Sequence, residues 1–200
     1  MEKISISHVN KKMGRIPSVS LPPVVTCAEG CKCAAKCYAA KLCRIYPTVR
    51  EAYARNLRIL REDPSEYWRQ IAEAVRGEEF FRFHVSGDIP DVEYLERMRW
   101  LAERRPDTQF LAFTKRYSLV NRRVGIWRMG IPKNLHIVFS EWEGMPMDNP
   151  HGLPVAHVIF RGEEPHPDWQ ICEGDCEACA RQGKGCWALK SGEHIAFHEH

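Results

Sequence analysis

The sequence lacks long hydrophobic runs and a strong excess of charge. Its apolar stretches, such as residues 134–140 and 153–160, are far shorter than the roughly 18 residues that a membrane-spanning helix needs. The 29 lysines and arginines nearly balance 26 aspartates and glutamates, and a net charge of +3 gives no general attraction to nucleic acid or membranes. Residues 1–5 carry no apolar segment typical of a signal peptide. We therefore expect a cytoplasmic protein without membrane association.

Internal repeats, low-complexity segments and linker-like stretches are also missing. The composition, 44% apolar and 28% charged residues, is that of an ordinary globular protein. A chain of this size buries about 70% of its unfolded surface when it folds, which is enough for one sizeable core. These features predict a single domain over residues 1–200.

Cysteine is absent from residues 44–171, which makes the placement of the nine cysteines informative. Five lie in a loop at residues 27–43, and four lie in a C-terminal segment at residues 172–200. An odd number of thiols cannot pair fully, and structural disulfides are rare in a reducing cytoplasm. Thiols grouped this tightly predict metal ligation.

The C-terminal group reads Cys172-x3-Cys176-x2-Cys179-x6-Cys186. Four thiolates on short loops suit tetrahedral zinc or a 4Fe-4S cluster, in which each cysteine holds one iron. Zinc sites usually contain two C-x2-C pairs, and this run contains only one. We therefore favour an iron–sulfur cluster and keep zinc as the alternative metal.

The N-terminal group offers five thiols, which exceed the four ligand positions of one cluster. At least one of them is therefore expected to hold no metal. Cys43 is the best candidate for that role, because it lies beyond the loop among helix-forming residues. The sequence thus allows one cluster or two.

Hydrophobic periodicity predicts alternating strands and helices. Strands are expected at residues 18–21, 24–26, 79–85, 110–113, 135–139 and 155–160, with a short edge strand at 4–7. Helices are expected at 34–44, 48–62, 65–76, 91–105 and 118–129. This alternation is typical of an α/β fold, and we predict an incomplete parallel (β/α) barrel or a related layered sheet.

In such folds the loops at the carboxyl ends of the strands converge on one face. The N-terminal cysteine loop, Asp88, Lys115 and Glu141 all follow predicted strands. Asp88, Lys115 and Glu141 are therefore the candidate catalytic residues, in one mouth with the metal ligands. His84, at the end of the same strand as Asp88, is expected to pack inside with one hydrogen bond.

Paired cations leave two interpretations open. With nearby tryptophans they could form a nucleic-acid patch, but arginines on helices more often only solvate a helix face. The residues concerned are Lys11, Lys12, Arg104, Arg105, Arg122, Arg123, Trp127 and Trp142.

An ordered set of motifs resembles the phage gene-product-88 domain family. These motifs are Thr26-Cys27, Cys33, Cys37-Tyr38-Ala39, Arg82-Phe83-His84-Val85-Ser86-Gly87-Asp88, Phe113-Thr114-Lys115, Cys176, Cys179, Cys186-Trp187 and the ending at Phe197 and His200. The resemblance implies a protein of a phage or mobile element. It makes Cys27, Cys33 and Cys37 the leading ligands of the first group, since Cys31 and Cys43 depart from the family pattern. Cys31 and His200 remain further candidate ligands.

A looser resemblance is to radical S-adenosylmethionine enzymes. In these enzymes three cysteines after the first strand hold a 4Fe-4S cluster with one open iron, and a glycine-rich acidic turn after the second strand binds the cofactor. By this resemblance Ser86, Gly87 and Asp88 would bind S-adenosylmethionine. The usual C-x3-C-x2-C spacing, however, occurs at Cys172 in the C-terminal group and not in the first loop.

Two functions from different classes follow. The first is a radical-S-adenosylmethionine-like or other redox enzyme of unknown substrate, with an electron donor as partner. The alternative is a non-catalytic binding protein that is stapled by structural 4Fe-4S or zinc centres and acts on nucleic acid or on a protein partner. Three ligands in the first loop would favour chemistry at an open iron, and four would favour structure or electron transfer.

Overall fold

The computed structural model describes residues 2–199. Within them the strands are β1 (Ile6–Ser7), β2 (Ser18–Val19), β3 (Phe80–Phe83), β4 (Gln109–Thr114), β5 (Leu135–Ser140), β6 (Val155–Ile159), β7 (Gln170–Ile171) and β8 (His194–His198). The α-helices are α1 (Tyr38–Ile45), α2 (Pro47–Glu62), α3 (Pro64–Ala74), α4 (Val92–Arg104), α5 (Tyr117–Val124) and α6 (Cys176–Arg181). No helix in residues 2–199 combines the length and the apolar character that crossing a membrane requires.

Local sequence signals fix where several helices begin. The side chains of Asp63, Asp91 and Asp175 each accept a hydrogen bond from a backbone N–H in the first turn of α3, α4 and α6. Each bond satisfies one of the donors that a helix start leaves unpaired. Pro47 and Pro64 occupy the first positions of α2 and α3, where a missing N–H costs nothing.

All eight strands form one sheet in the order β1-β2-β3-β4-β5-β6-β8-β7. Only the pairing of β1 with β2 is antiparallel, and the rest are parallel. The sheet is open, because β1 and β7 form its two edges and no strand pairing within residues 2–199 joins them. The predicted layered α/β sheet is therefore observed, whereas the predicted barrel is not.

The two faces of the sheet bury different parts of the chain. On the helix face, Phe110 and Ala112 of β4 pack in a core with residues of α2, α3, α4 and α5. Leu111, between them, points to the opposite face, because successive side chains in a strand alternate. There it packs in a second core with Met13 and Trp187. The loop between β1 and β2 and the cysteine-rich C-terminal segment thus cover the face that barrel closure would have placed inside.

Several predicted elements differ from the structure. Residues 24–26 form a turn instead of a strand, and Val24 has a φ of +69° that no strand residue adopts. Helix α5 ends at Val124, before Gly125, and does not continue to residue 129. The predicted helix at 34–44 is interrupted at Cys37, which separates a 3-10 helix from α1. Helix α6 and strands β7 and β8 are absent from the predicted elements.

Candidate functional site

The four C-terminal cysteines line one cavity. It has a volume of about 270 Å³ and lies over the second face of the sheet. Arg82 of β3 and Phe197 of β8 form part of its wall. The cysteines are Cys172, Cys176, Cys179 and Cys186. The structure therefore brings together the four residues that the sequence predicted as one ligand set.

The backbone of the C-terminal segment is anchored at both ends of this cavity. Cys172 donates its backbone N–H to the carbonyl of Ala196 in β8, and Cys176 donates to the carbonyl of Lys12, both at 2.9 Å. Gly185 has a φ of +61°, and a Cβ there would stand 3.3 Å from Cys179 Sγ. Glycine is the residue that takes this conformation without strain. The segment is thus tied to β8 and to the loop between β1 and β2.

Burial and nearby cations act in opposite directions on these thiols. Burial raises the pKa of Cys186 to about 12 and also raises the pKa of Cys176. The charges of Arg82 and Lys12 lower both pKa values. Arg82 is held over the Phe113 ring, 4.8 Å from its centroid. The cavity thus combines protonated thiols with a cationic wall that would stabilise thiolates, as metal binding requires.

The thiols face the cavity without converging on one point. Among residues 2–199, no group of three or more cysteine, histidine, aspartate or glutamate side chains is placed so that it could hold a metal ion. A single ion would therefore require these side chains to move inward. A 4Fe-4S cluster requires less movement of these side chains, because each of its ligands binds a different iron around the cube.

The N-terminal loop also gathers its thiols. Cys31 Sγ lies 2.7 Å from Cys33 Sγ. Cys27 is close enough to Cys31 and Cys37 for their charges to raise its pKa. Tetrahedral zinc thiolates stand about 3.8 Å apart, as follows from a Zn–S distance of ~2.3 Å. Cys31 and Cys33 would therefore have to separate before both could ligate one ion, but Cys31 lies within the group and not outside it.

Burial also dominates the chemistry of this loop. It raises the pKa of Cys27 to about 11 and, with the hydrogen bond to Cys31, the pKa of Cys33 to about 12. The charge of Lys115 lowers the pKa of Cys33. Cys37 Sγ accepts the backbone N–H of Ala40 at 3.4 Å and so caps α1. Cys43 lies on α1 itself and is half-buried, and its predicted packing role stays a prediction.

The Ser86-Gly87-Asp88 turn is held by protein contacts. Both carboxylate oxygens of Asp88 accept hydrogen bonds. Oδ1 accepts from the Thr114 hydroxyl at 2.6 Å and from the backbone N–H of Ile89. Oδ2 accepts from the backbone N–H of Lys115 at 2.8 Å. Ser86 Oγ donates to the carbonyl of Leu21 at 3.2 Å. Burial raises the pKa of Asp88, against these hydrogen bonds. The turn thus joins the ends of β3 and β4 to the loop before Cys27.

Lys115 and Glu141 lie at the carboxyl ends of neighbouring strands. Lys115 Nζ donates to Ser140 Oγ at 2.6 Å. Tyr117 lies near both strand ends and near the N-terminal cysteine loop. Burial raises its pKa most, and the charges of Asp88, Glu141, Cys31 and Cys33 raise it further. We call this region the strand-end mouth: the loop 27–37 with Asp88, Lys115, Tyr117 and Glu141. The predicted convergence of these residues is observed.

Sequence reasoning missed two histidines beside the mouth. His157 of β6 binds Glu141 Oε2 through Nδ1 at 2.5 Å, and its Nε2 lies 2.8 Å from Nδ1 of His194. Trp169 stacks on His157 with the ring centroids 3.7 Å apart. A buried histidine in the otherwise apolar strand 155–160 was the available signal.

The remaining sequence predictions concern His84, the paired cations and His200. His84 is buried as expected, but neither of its ring nitrogens has a hydrogen-bond partner in the described chain. The cation pairs do not form one patch: Arg123 pairs with Glu96 on the helix face at 2.7 Å, whereas Lys12 lies over Phe197 on the opposite face. His200 lies outside the described residues.

Comparison with known proteins identifies the family to which this sequence belongs. The profile of the family described as gene product 88 matches residues 3–194, nearly the whole chain. No curated protein matches the chain, and no solved structure matches it. The resemblance to radical S-adenosylmethionine enzymes thus finds no support in these comparisons. Because the match spans both cysteine groups and the strands from β1 to β7, the chain belongs to the phage-type gene product 88 family.

Proposed function

We propose that this protein is an iron–sulfur redox protein whose C-terminal cysteines hold a 4Fe-4S cluster. The observation that carries the proposal is the cavity of about 270 Å³ that all four cysteines line. One water molecule occupies about 30 Å³ of liquid. The cavity is therefore better matched to a polyatomic cluster than to a bare ion such as zinc.

The cationic wall supports the same assignment. A cluster held by four thiolates carries net negative charge, and each thiol must lose its proton to bind iron. Arg82 and Lys12 are the cations that favour the thiolate form of Cys176 and Cys186. Their placement lowers the cost of putting negative charge into a partly buried site.

The N-terminal loop is the proposed second metal site. Cys27, Cys33 and Cys37 remain its leading ligands, and the contact with Cys33 adds Cys31 as a fourth. Four ligands would close a cluster and favour electron transfer with a donor protein over chemistry at an open iron. The occupied carboxylate of Asp88 also leaves little room for the ammonium group of S-adenosylmethionine. We therefore place any substrate chemistry at Lys115 and Glu141, and S-adenosylmethionine binding remains the less favoured reading.

A structural metal centre is the second candidate, and one observation favours it. The C-terminal segment is tied to β8 through Cys172 and to the loop between β1 and β2 through Cys176. A metal there would fix the conformation of the segment that makes these two hydrogen bonds, and its binding energy would become folding energy. Zinc could serve this role without redox chemistry.

Anaerobic purification followed by iron, sulfide and zinc analysis separates the candidates. Redox function predicts iron and acid-labile sulfide in equal amounts, about four of each per cluster, and a visible absorbance that dithionite bleaches. Zinc without sulfide would establish the structural candidate instead. Protein without metal, with all nine thiols free, would contradict both.

A further inference from the structure

A chain of hydrogen bonds crosses the sheet beside the strand-end mouth. It runs from Glu141, after β5, through His157 of β6 to His194 of β8. His157 and His194 belong to neighbouring parallel strands, and their alternation places both on the helix face, with Val155. Trp169, at the end of the loop 160–169, stacks on the rings of both histidines and so covers this part of the sheet.

The hydrogen bonds determine where the protons are. An ionised carboxylate only accepts, so His157 Nδ1 must carry the proton that Glu141 receives. Burial lowers the pKa of His157, against the charge of Glu141, and leaves its ring neutral at pH 7. Its Nε2 is then an acceptor, so His194 Nδ1 must donate. The other ring nitrogen of His194, Nε2, is then the atom at which this chain can exchange a proton, and no described residue donates to it.

The middle of this chain is buried, whereas Glu141 is exposed and His194 is partly exposed. His157 is buried beneath the Trp169 indole, whereas the Glu141 side chain is 48% exposed. After burial, the charges of His194 and of His166, whose Nδ1 lies 3.8 Å from Asp168 Oδ2, lower the pKa of His157 further. A buried link between two groups that meet solvent is the arrangement of a proton path.

We propose that Glu141, His157 and His194 form a proton relay between the strand-end mouth and solvent at His194 Nε2. A proton taken up at Nε2 moves His194's Nδ1 proton to His157 Nε2, and the Nδ1 proton of His157 passes to Glu141; the reverse order returns it. The site would serve a ligand with an ionisable O–H or N–H, bound in the mouth beside Lys115. Only the identity of the reaction served rests on the proposed redox function.

Nitrogen-15 NMR of the histidine side chains in the full-length protein tests the relay. Both His157 and His194 should show the Nδ1–H tautomer, which is the minor form of free histidine in water. Glu141→Gln should abolish this preference at His157 and lower the proton affinity of His194 roughly fivefold, because an anion near it is lost. Glu143→Gln removes a charge from the same exposed loop, has no contact with His157, and should change the affinity less than twofold.

The Nε2–H tautomer at both histidines, or equal effects of the two substitutions on His194, would overturn the relay. Iron content is measured on the same samples. A protein without iron that keeps the Nδ1–H tautomers would contradict the proposed redox function and leave the relay standing. A protein that contains iron but shows the Nε2–H tautomers would contradict the relay and leave the proposed redox function standing.

Discussion

The Thr114 hydroxyl donates a hydrogen bond of 2.6 Å to Asp88 Oδ1 and so connects the carboxyl end of β4 to the turn after β3. The same carboxylate accepts the Lys115 N–H at 2.8 Å. Asp88 is buried and therefore acts first as a tie between strands. The position of Lys115 at the mouth depends on that tie.

Asp88→Asn should destabilise the fold by about 1–3 kcal/mol, because the new amide group must face a backbone or hydroxyl donor in a buried site. Urea unfolding measures the loss. Asp107→Asn, an exposed residue in the turn before β4, is the matched control and should change stability by less than about 0.5 kcal/mol. Equal losses of stability in the two variants would mean that Asp88 does not hold the ends of β3 and β4 together.

Gly87→Ala tests the same turn through its backbone. Gly87 has a φ of +79°, and a Cβ there would stand 2.6 Å from Thr26 Oγ1 and 2.7 Å from the carbonyl oxygen of Leu21. Gly77 has nearly the same φ, +78°, with nothing within 4 Å. Gly77→Ala should therefore cost only the conformational strain, about 1 kcal/mol, and Gly87→Ala clearly more. Thermal unfolding of both variants gives the comparison, and similar melting temperatures would refute the close contact.

His84 should make stability fall in acid. Burial lowers its pKa to about 3, whereas the unfolded chain takes up a proton near pH 6.5. Its contribution is therefore complete above pH 6.5 and is lost as the pH falls towards 3, at about 1.4 kcal/mol per pH unit.

The matched variant is His84→Asn, since asparagine tolerates the φ of +59° at this position. Urea unfolding between pH 7.5 and 4.5 should show a flatter pH dependence for the variant than for the parent. Parallel curves would mean that His84 is charged or hydrogen-bonded in the folded protein.

The sequence predicted those parts of the fold in which periodicity is strong. Phe110 to Phe113 alternate between two cores, and the capping aspartates 63 and 91 mark where α3 and α4 begin. Strand β8 was missed because its sequence, His194-Ile195-Ala196-Phe197-His198, is short and shows no alternation of polar and apolar residues.

The candidate site was predicted less completely. Strand-end positions identified Asp88, Lys115 and Glu141, since parallel strands place their carboxyl ends together. Tertiary contacts decided the rest. Nothing in the spacing indicates that Asp88 is fully hydrogen-bonded, that Glu141 bonds His157, or that the C-terminal cysteines lie over the sheet and not at its rim.

The most direct test of the central claim compares the iron bound by Cys186→Ser and Cys43→Ser after anaerobic purification. Cys186 lines the C-terminal cavity, whereas Cys43 lies on α1 and is assigned no metal. We predict that purified Cys186→Ser contains about four fewer irons per chain than the parent, because its cluster does not form or is lost during purification. Cys43→Ser should retain all of its iron. Full iron and sulfide content in Cys186→Ser, or an equal loss in both variants, would contradict a cluster in the C-terminal cavity.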